Sequence, residues 1–303
     1  MIPALVLAAG LATRLRPLSR VRAKAALPVA GQTLVYRIIT WLAGAGIHDL
    51  VINLHHLPHT ITRIVGDGAQ LGVRVRYSWE APVLGSAGGP RHALSLLGAQ
   101  QFLIVNGDTL TDVDPTALIS AHERSGALVT MAVVPNTEPD KYGGVLVDEE
   151  GAVTGFARTG SPQRSFHFVG AQVAQAQTFA GLPDNTRYES VNALYPDLMR
   201  ARPGCIRAHV CQAAFLDIGT PADYVATSLS LARREQQALE GGNILWDDVV
   251  IEPGARLRHC VVTDGVRVPA DADWHNMTVR IASGALEPFE RQEGDLALGP
   301  IGP

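Results

Sequence analysis

Lysine is almost absent from this chain of 303 residues: of its 25 basic residues, only Lys24 and Lys141 are lysines. Arginine serves as well as lysine on most solvated surfaces, so the scarcity indicates a compositional bias. The planar guanidinium of arginine nevertheless cannot always replace a compact ammonium charge. Either the two lysines survive by chance, or at least one of them has a chemical role.

Cysteine, net charge and long apolar runs are scarce as well. The 3 cysteines (Cys205, Cys211 and Cys260) are an odd number without metal-site spacing, which favours a reducing compartment and packing roles. A net charge of −4 gives no electrostatic basis for binding nucleic acid. No apolar run approaches the roughly 20 residues of a membrane span, and the run over residues 4–9 lacks the basic segment that precedes a signal peptide core. We therefore expect a cytoplasmic protein that binds neither nucleic acid nor membrane.

The pattern of the first two thirds predicts an α/β fold. Hydrophobic residues make up 47% of the sequence and charged residues 18%, as in globular proteins. Buried strands are predicted at 4–9 and 102–105, and a helix at 34–42. Continuous apolar strands that alternate with helices indicate a Rossmann-like mixed, mainly parallel sheet with helices on both faces. Such sheets bind ligands beyond the carboxyl ends of their strands, so the loops at Gly10 and Asn106 are predicted to open on one crevice.

The last quarter of the sequence has a different texture. Residues 222–240 are predicted to form a long polar-faced helix, closed by a glycine pair. Apolar residues then recur every six positions, as at Leu245, Ile251 and Leu257. This spacing resembles hexapeptide coils and predicts a short left-handed β-helix-like segment, with a pair of hairpins as the alternative. The predicted divisions are a domain over 1–240, a β segment over 241–282 and an unassigned tail over 283–303.

The loop after the first predicted strand carries the densest chemical signal. Small residues follow the strand directly, Gly10 gives the backbone freedom that other residues lack, and Arg14 and Lys24 add two positive charges. Backbone N–H groups and cations of this kind suit a polyphosphate. The loop is neither a Walker P-loop nor a dinucleotide fingerprint. On residue types alone, a plain strand-to-loop transition with surface arginines therefore stays open.

Residues 7–31, LAAGLATRLRPLSRVRAKAALPVAG, closely resemble the signature of the sugar-phosphate nucleotidyltransferases, approximately L-x-A-A-G-x-G-T-R-L-x-P-L-T, then P-K-P, then L-P-V. The resemblance implies that Arg14 and Lys24 are catalytic and contact the phosphates. It also implies nucleotide contacts by the residues at the end of the strand, namely Leu7, Ala8, Ala9 and Gly10. Three alanines depart from the signature: Ala12 replaces the second glycine, and Ala23 and Ala25 replace the prolines beside the lysine.

A second glycine-rich run, G-S-A-G, resembles the loop with which this family holds the base. The resemblance implies nucleotide contacts by the four residues of the run, namely Gly85, Ser86, Ala87 and Gly88. Glu80 lies five residues earlier, where the family often has a glutamate or glutamine that faces the base. A carboxylate accepts hydrogen bonds well from N1–H and the amino group of guanine, which mildly favours GTP. The alternative for Glu80 is a solvated strand end.

Two acidic residues are predicted to hold Mg²⁺. Asp108, in the run Asn-Gly-Asp, follows the apolar strand at 102–105, and an oxygen ligand there suits an ion that is held by one or two carboxylates plus phosphate. The family's N/G-D motif coincides with this run, so the resemblance implies that Gly107 contacts the nucleotide and Asp108 is catalytic. The run FLDIGTPADY resembles W-x-D-I-G-T-P-x-x-Y and implies Asp217 as the second metal ligand.

The sugar side of the site is where the sequence departs most from the family. Tyr142 and Gly143 match the family's Y-G motif, and Gly170 matches the glycine of G-I/V-x-V. Many members have F-x-E-K-P between these motifs, with a lysine that serves the sugar phosphate. Here the run is FARTG, so Arg158 is the candidate replacement. This departure bears on the identity of the sugar more than on the reaction class.

The sequence therefore predicts a Mg²⁺-dependent enzyme that joins an NTP to a sugar 1-phosphate, giving an NDP-sugar and pyrophosphate. Mannose 1-phosphate with GTP is the first choice, and uridylyl or thymidylyl transfer to another sugar is the alternative. A non-catalytic nucleotide-sugar-binding regulatory homologue stays open, as does a hexapeptide-repeat acyltransferase or scaffold, although the β segment is short for one. A homo-oligomer is possible. Residues His55, His56 and His59 are expected to have structural or surface roles.

Overall fold

The computed structural model describes residues 2–302. The first half of the chain alternates strands and helices: β1 Ala4–Leu7, β2 Pro28–Val29, β3 Gln32–Thr33, α1 Leu34–Gly44, β4 Asp49–Leu54, α2 Pro58–Val65, β5 Arg74–Trp79, α3 Gly85–Leu97, β6 Gln101–Asn106, β7 Thr109–Thr111, α4 Pro115–Ser125 and β8 Val129–Pro135. The remaining elements are β9 Gly144–Val147, β10 Val153–Ala157, β11 Phe166–Gln175, α5 Gln177–Ala180, α6 Tyr195–Ala201, β12 Ile206–Val210, β13 Phe215–Asp217, α7 Pro221–Arg234, β14 Ile244–Leu245, β15 Val250–Ile251, β16 Arg256–Arg258, β17 Val261–Val262, β18 Arg267–Val268, β19 Asp273–His275, β20 Met277–Ile281, β21 Arg291–Glu293 and β22 Leu296–Pro300. None of the helices within residues 2–302 is long and apolar enough to cross a membrane.

The chain forms two compact units that do not follow its order. The first contains the residues up to Gly10 together with Val35–Pro58 and Thr62–Leu216. The second contains Leu11–Leu34, His59–Ile61 and everything from Asp217 onward. The signature loop thus belongs with the C-terminal residues rather than with the strand that precedes it. The predicted division at residue 240 stays a prediction.

A nine-stranded sheet forms the centre of the first unit, in the order β10-β9-β11-β6-β1-β4-β5, with β8 paired to β11 and β12. β1 runs parallel to β4 and β6, and β4 runs parallel to β5. β11 is antiparallel to β6, β8 and β9. The continuous apolar strands are fully buried, as at Leu5 and Phe102. The predicted mixed sheet of a Rossmann-like α/β fold is confirmed.

The C-terminal strands of the second unit stack in coils. Parallel partners lie 17 residues apart in each ladder, as in Asp247 and Asp264 on adjacent coils, and the ladders pair Ile244 with Val261, Val250 with Arg267 and Arg256 with Asp273. Buried valines, with Trp274, fill the interior. A repeat close to three hexapeptides confirms a β-helix-like segment and removes the alternative of two hairpins.

Two expectations about the C-terminal region need amendment. Helix α7 ends at Arg234, six residues before the predicted end, because the polar run that follows has no apolar face to bury and Gln236 takes a left-handed φ of 55°. The tail without an assignment is folded, since β22 pairs antiparallel with β20 and β21. Its regular pairing has no hexapeptide period, which is why the sequence pattern did not show it.

Candidate active site

The ends of β1 and β6 meet at the predicted crevice of the first unit. Leu7 pairs with Asn106, and the N–H of Gly107 donates to the carbonyl oxygen of Leu7 at 2.9 Å. A Cβ at Gly107 would lie 2.7 Å from that oxygen, so only glycine fits. The two loops predicted to face one ligand are therefore neighbours.

In the first loop, the backbone conformation that favours glycine occurs at Ala12 and not at Gly10. Gly10 is exposed, its φ is not left-handed, and a Cβ there would meet nothing within 4 Å. Ala12, which stands where the family has its second glycine, adopts the left-handed φ of 48°. The folded chain itself therefore does not need glycine at position 10, and the open space around it is available to a ligand.

Asp108 is partly buried at the turn that follows β6. The hydroxyl of Thr109 donates to Asp108 Oδ1 at 3.2 Å. Beyond β7, Asp114 caps helix α4 by accepting from the N–H groups of Thr116 and Ala117. Asp108 thus lies at the end of β6, and a metal-binding role for it stays a prediction, whereas Asp114 caps a helix.

Glu80 does not have the environment predicted for a base-facing carboxylate. It is 4% exposed, its Oε1 accepts from Asn53 Nδ2 at 2.7 Å, and its Oε2 accepts from the N–H of Leu84 at 2.8 Å. Asn53 Oδ1 in turn accepts from the N–H of Ala8 at 2.6 Å. Both carboxylate oxygens of Glu80 are therefore engaged within the protein, and Asn53 links one of them to the backbone that follows β1. The mild preference for GTP loses this support. Asn53 carried no sequence signal beyond its place at the end of a strand.

The predicted base loop begins helix α3 and packs against its own chain. The N–H groups of Ala87 and Gly88 donate to the carbonyl of Tyr188 at 2.9 and 3.1 Å, and the Ser86 hydroxyl donates to Glu189 Oε2 at 2.8 Å. Residues 186–190 thus form a covering segment over the loop, and a Cβ at Gly88 would lie 2.4 Å from its backbone oxygen at Thr186. Packing thus accounts for the small residues of the loop, whose contact with a base stays a prediction. The covering segment had no sequence signal.

A cleft of about 1020 Å³ in the first unit brings together the predicted sugar-side residues Gly143 and Arg158. His167, Phe168 and Arg200 also line it, and none of these three was predicted. A cleft of this size, lined by backbone, aromatic rings and two guanidinium groups, suits a phosphorylated sugar.

His167, one of the lining residues of the cleft, belongs to an aromatic trio with Tyr142 and Phe215. The ring of His167 lies 4.3 Å from that of Tyr142 and stacks at 4.4 Å on that of Phe215. Burial, with a smaller contribution from the charge of Lys141, lowers the pKa of His167 from 6.5 to about 4. The imidazole is therefore neutral near pH 7. Its Nδ1 has no hydrogen-bond partner among the residues that the structure describes.

Gly170 lies elsewhere than Gly143 and Arg158. It occupies the irregularity of β11 between Phe168 and Gln172 with a φ of +80°, and a Cβ there would come within 3.1 Å of Asn106. Gly170 therefore packs on the turn that leads to Asp108, and it does not line the cleft.

The second unit brings together three predicted residues. Lys24 Nζ lies 4.0 Å from Asp217 Oδ1, and their side chains are 15% and 29% exposed. The guanidinium nitrogens of Arg14 lie 3.7 Å from the position of a Cβ on Gly219, two residues after Asp217. Helix α7 follows, fixed by a capping box of Thr220 and Asp223. Two cations and one carboxylate from separate motifs thus share one surface.

Asp108 and Asp217 are the two acidic residues that the sequence predicts to hold Mg²⁺. Within residues 2–302, no group of three or more His, Cys, Asp or Glu side chains is arranged to hold a metal ion. Mg²⁺ is usually bound by one or two carboxylates, with waters and substrate phosphates completing its shell. Asp108 in the first unit and Asp217 in the second are both partly accessible, and their binding of Mg²⁺ stays a prediction.

Comparison with known proteins defines the class. The family model described as "Nucleotidyl transferase" matches residues 3–234, so the chain belongs to the nucleotidyl transferase family. Its curated relatives include a mannose-1-phosphate guanylyltransferase of Mycobacterium tuberculosis, 29% identical over 293 residues that cover 89% of this chain and 82% of that protein. An N-acetylmuramate alpha-1-phosphate uridylyltransferase of Neisseria meningitidis is 41% identical over 150 residues, 48% of this chain and 65% of that protein. The relatives are sugar-1-phosphate nucleotidyltransferases.

Among solved structures, HddC from Yersinia pseudotuberculosis in complex with GMP-PN has the same fold. The TM-score is 0.67 at 22% identity, covering 76% of this chain and 100% of that one.

Proposed function

We propose that this protein transfers a guanylyl group from GTP to mannose 1-phosphate, releasing pyrophosphate. The observation that carries the reaction class is the pair of Lys24 and Asp217. The two residues belong to different sequence motifs, and Lys24 Nζ lies 4.0 Å from Asp217 Oδ1. The choice of mannose and guanine is supported by the similarity to the Mycobacterium tuberculosis enzyme across 89% of this chain. A non-catalytic homologue would have less reason to retain both charged groups.

The proposed reaction needs no covalent enzyme intermediate. An oxygen of the sugar phosphate attacks the α-phosphorus of the NTP, a P–O bond forms, and the bond to the leaving pyrophosphate breaks in line. The chain contributes positioning and charge stabilisation. Lys24 would offset the charge that grows on the α-phosphoryl group, Arg14 would stabilise the leaving pyrophosphate, and Arg158 would hold the sugar phosphate.

Mg²⁺ belongs to the proposal through Asp108 and Asp217. When bound, the ion would neutralise charge on the phosphate oxygens. The backbone of Leu7 to Gly10 and of Gly107 would lie against the nucleotide, with Gly10 leaving the space for it. We propose no base contact for Glu80.

Uridylyl transfer to an acidic sugar is the second candidate. The 41% identity to the Neisseria meningitidis enzyme lies over 150 residues. Both Arg158 and Arg200 line the cleft. Arg158 would bind the sugar phosphate, and Arg200 could then bind a carboxylate on the sugar. Arg200 is ion-paired with Asp197 across one helical turn, and an acidic sugar would compete for it.

A panel of four NTPs against mannose, glucose and N-acetylmuramate 1-phosphates, scored by pyrophosphate release with and without Mg²⁺, tests both candidates. GTP with mannose 1-phosphate is expected to give the highest kcat/KM. UTP with N-acetylmuramate 1-phosphate as the best pair would favour the second candidate. If no pair of substrates releases pyrophosphate, the protein is a nucleotide-sugar-binding homologue without turnover.

A further inference from the structure

Arg22 is a buried cation two positions before Lys24. Its side chain is 8% exposed. Nε and Nη2 donate to the two carboxylate oxygens of Asp264 at 2.8 and 2.6 Å, and Nη2 also donates to Asp247 Oδ2 at 2.6 Å. Its Cζ lies 5.3 Å from the centre of the Trp246 ring. Residues of the β-helix-like segment therefore enclose the guanidinium on three sides.

The same guanidinium holds the backbone around Lys24. Its Nη1 donates to the carbonyl of Ala26 at 3.4 Å, across the single turn Lys24–Ala26. The N–H of Ala23, which begins that turn, donates to Thr60 Oγ1 at 3.1 Å. The backbone is thus fixed on both sides of Lys24, while the ammonium group faces Asp217.

The charge on Arg22 is held firmly. Burial alone would lower the pKa of Arg22, but the hydrogen bonds and charges of Asp264 and Asp247 raise it above its ordinary value. A bidentate arginine fork fixes orientation as well as distance, which a lysine at this position would not do. Removal of the fork would leave Asp264, which is 33% exposed, without this cation.

A second anchor holds the earlier part of the loop. Arg20 donates to Glu287, and Arg16 lies 3.8 Å from the same carboxylate oxygen. The N–H of Glu287 donates to Glu290, which forms a fully buried ion pair with Arg280. The loop is therefore bound to the C-terminal residues at two places, through Arg16 and Arg20 and again through Arg22.

We propose that Arg22 is the positioning residue for Lys24: the β-helix-like segment grips its guanidinium and thereby sets where the ammonium group stands. The inference rests on the proposed function in that Lys24 acts on the nucleotide. The β-helix-like segment would then contribute to the reaction by fixing the position of Lys24.

The kinetic test is a double-mutant cycle with the full-length protein. Arg22→Gln is expected to lower kcat about 10- to 100-fold with little change in KM for the NTP, since a displacement near 1 Å has effects of this size. In a Lys24→Ala background the same change is expected to have no further effect on kcat. Arg256→Gln, which removes an exposed arginine–carboxylate pair from the same segment, is the control and is expected to leave kcat unchanged. Equal losses in both backgrounds would mean a general structural role and would overturn the proposal.

A spectroscopic test does not depend on turnover. With only two lysines in the sequence, ¹⁵N- or ¹³Cε-lysine labelling yields two side-chain NMR signals, and Lys24→Arg assigns them. Arg22→Gln is expected to shift the Lys24 signal and to leave the Lys141 signal in place. If Arg22→Gln fails to fold, Asp264→Asn serves instead, because it keeps the shape of the acid and removes its charge.

The outcomes separate the two claims. A Lys24 signal that does not move in either variant, with normal kcat, would overturn the positioning role while the enzyme remains active. A wild-type protein that releases no pyrophosphate with any substrate would overturn the proposed function, and a shifted Lys24 signal would still support the positioning role.

Discussion

Lys24 and Asp217 face each other with 4.0 Å between Nζ and Oδ1, so one of the two lysines of the chain stands beside a predicted metal ligand. At this distance the ammonium group partly offsets the carboxylate without a close hydrogen bond. A guanidinium in the same place would be wider and would put its charge farther from the backbone. The structure therefore gives a reason for a lysine rather than an arginine at position 24, and none at position 141.

Lys24→Arg is expected to lower kcat by about 10² or more, the size found when one donor to a developing charge is lost. Lys141→Arg is the matched control, because Lys141 lies over the ring of Tyr142 at 5.1 Å and arginine makes the same kind of cation–π contact. Steady-state kinetics of pyrophosphate release for both variants provide the comparison. Equal activity of the two variants would remove Lys24 from the proposed mechanism.

Gly10→Ala is expected to separate folding from binding. A Cβ at this position meets nothing within 4 Å, and the substitution reduces the freedom of the unfolded chain, so stability should be unchanged or rise by up to about 1 kcal/mol. The KM for the NTP should rise about tenfold, equivalent to about 1.4 kcal/mol. Thermal denaturation and initial rates measure the two effects, and an unchanged KM would place the nucleotide away from this loop.

Gly88→Ala is expected to lower stability by about 1–3 kcal/mol through overpacking. The added Cβ would lie 2.4 Å from the carbonyl oxygen of Thr186, a backbone atom that cannot swing aside. Gly181→Ala is the control, since a Cβ there meets nothing within 4 Å. Urea denaturation at neutral pH gives both free energies of unfolding, and similar losses in the two variants would show that residues 186–190 do not cover the loop tightly.

His167 predicts a pH dependence of stability. The unfolded chain binds a proton at His167 below an ordinary pKa of 6.5, whereas the folded chain does so only near 4. Between these values the unfolded state holds more protons, so the free energy of unfolding falls as the pH falls from 6.5 to about 4. Burial also lowers the pKa of His122 and His209, which contribute in the same direction.

His167→Phe is expected to make that fall shallower while it keeps the stacking on Phe215. His48→Gln, at an exposed position, is expected to leave the slope as it is. Denaturation curves between pH 4 and pH 7 provide the slopes. An unaltered slope in His167→Phe would mean that the imidazole titrates normally in the folded protein.

Local patterns predicted much of the fold and several residues that the structure brings together, such as Lys24 and Asp217. Strands such as β1 and β6 were visible because a buried parallel strand must be apolar on both faces, and the turn at Gly107 follows from where such a strand ends. The signature around Lys24 is contiguous and could be compared directly with a family. The coils were visible because they repeat.

Contacts between distant residues could not be predicted in this way. Glu80 had the right spacing for a base contact, but its partner Asn53 lies on another strand, and only the folded sheet shows that the carboxylate is already engaged. Glu189, which binds Ser86, comes from an irregular segment with no period. Burial lowers the pKa of His167, and two of the rings that pack on it, Tyr142 and Phe215, come from remote positions in the sequence. In each case the deciding neighbour is remote in sequence and the residue type is common.

The grip of Asp264 on Arg22 also sets an order of events during synthesis. The two residues are 242 positions apart, and a ribosome adds about 5–20 residues per second, so Arg22 emerges roughly 10–50 s before its partner exists. The parallel strands β1, β4, β5 and β6 end by Asn106, long before that point of the chain. A nascent chain therefore carries a lysine loop that is not yet held, and its proposed chemistry has to wait for the coil that contains Asp264.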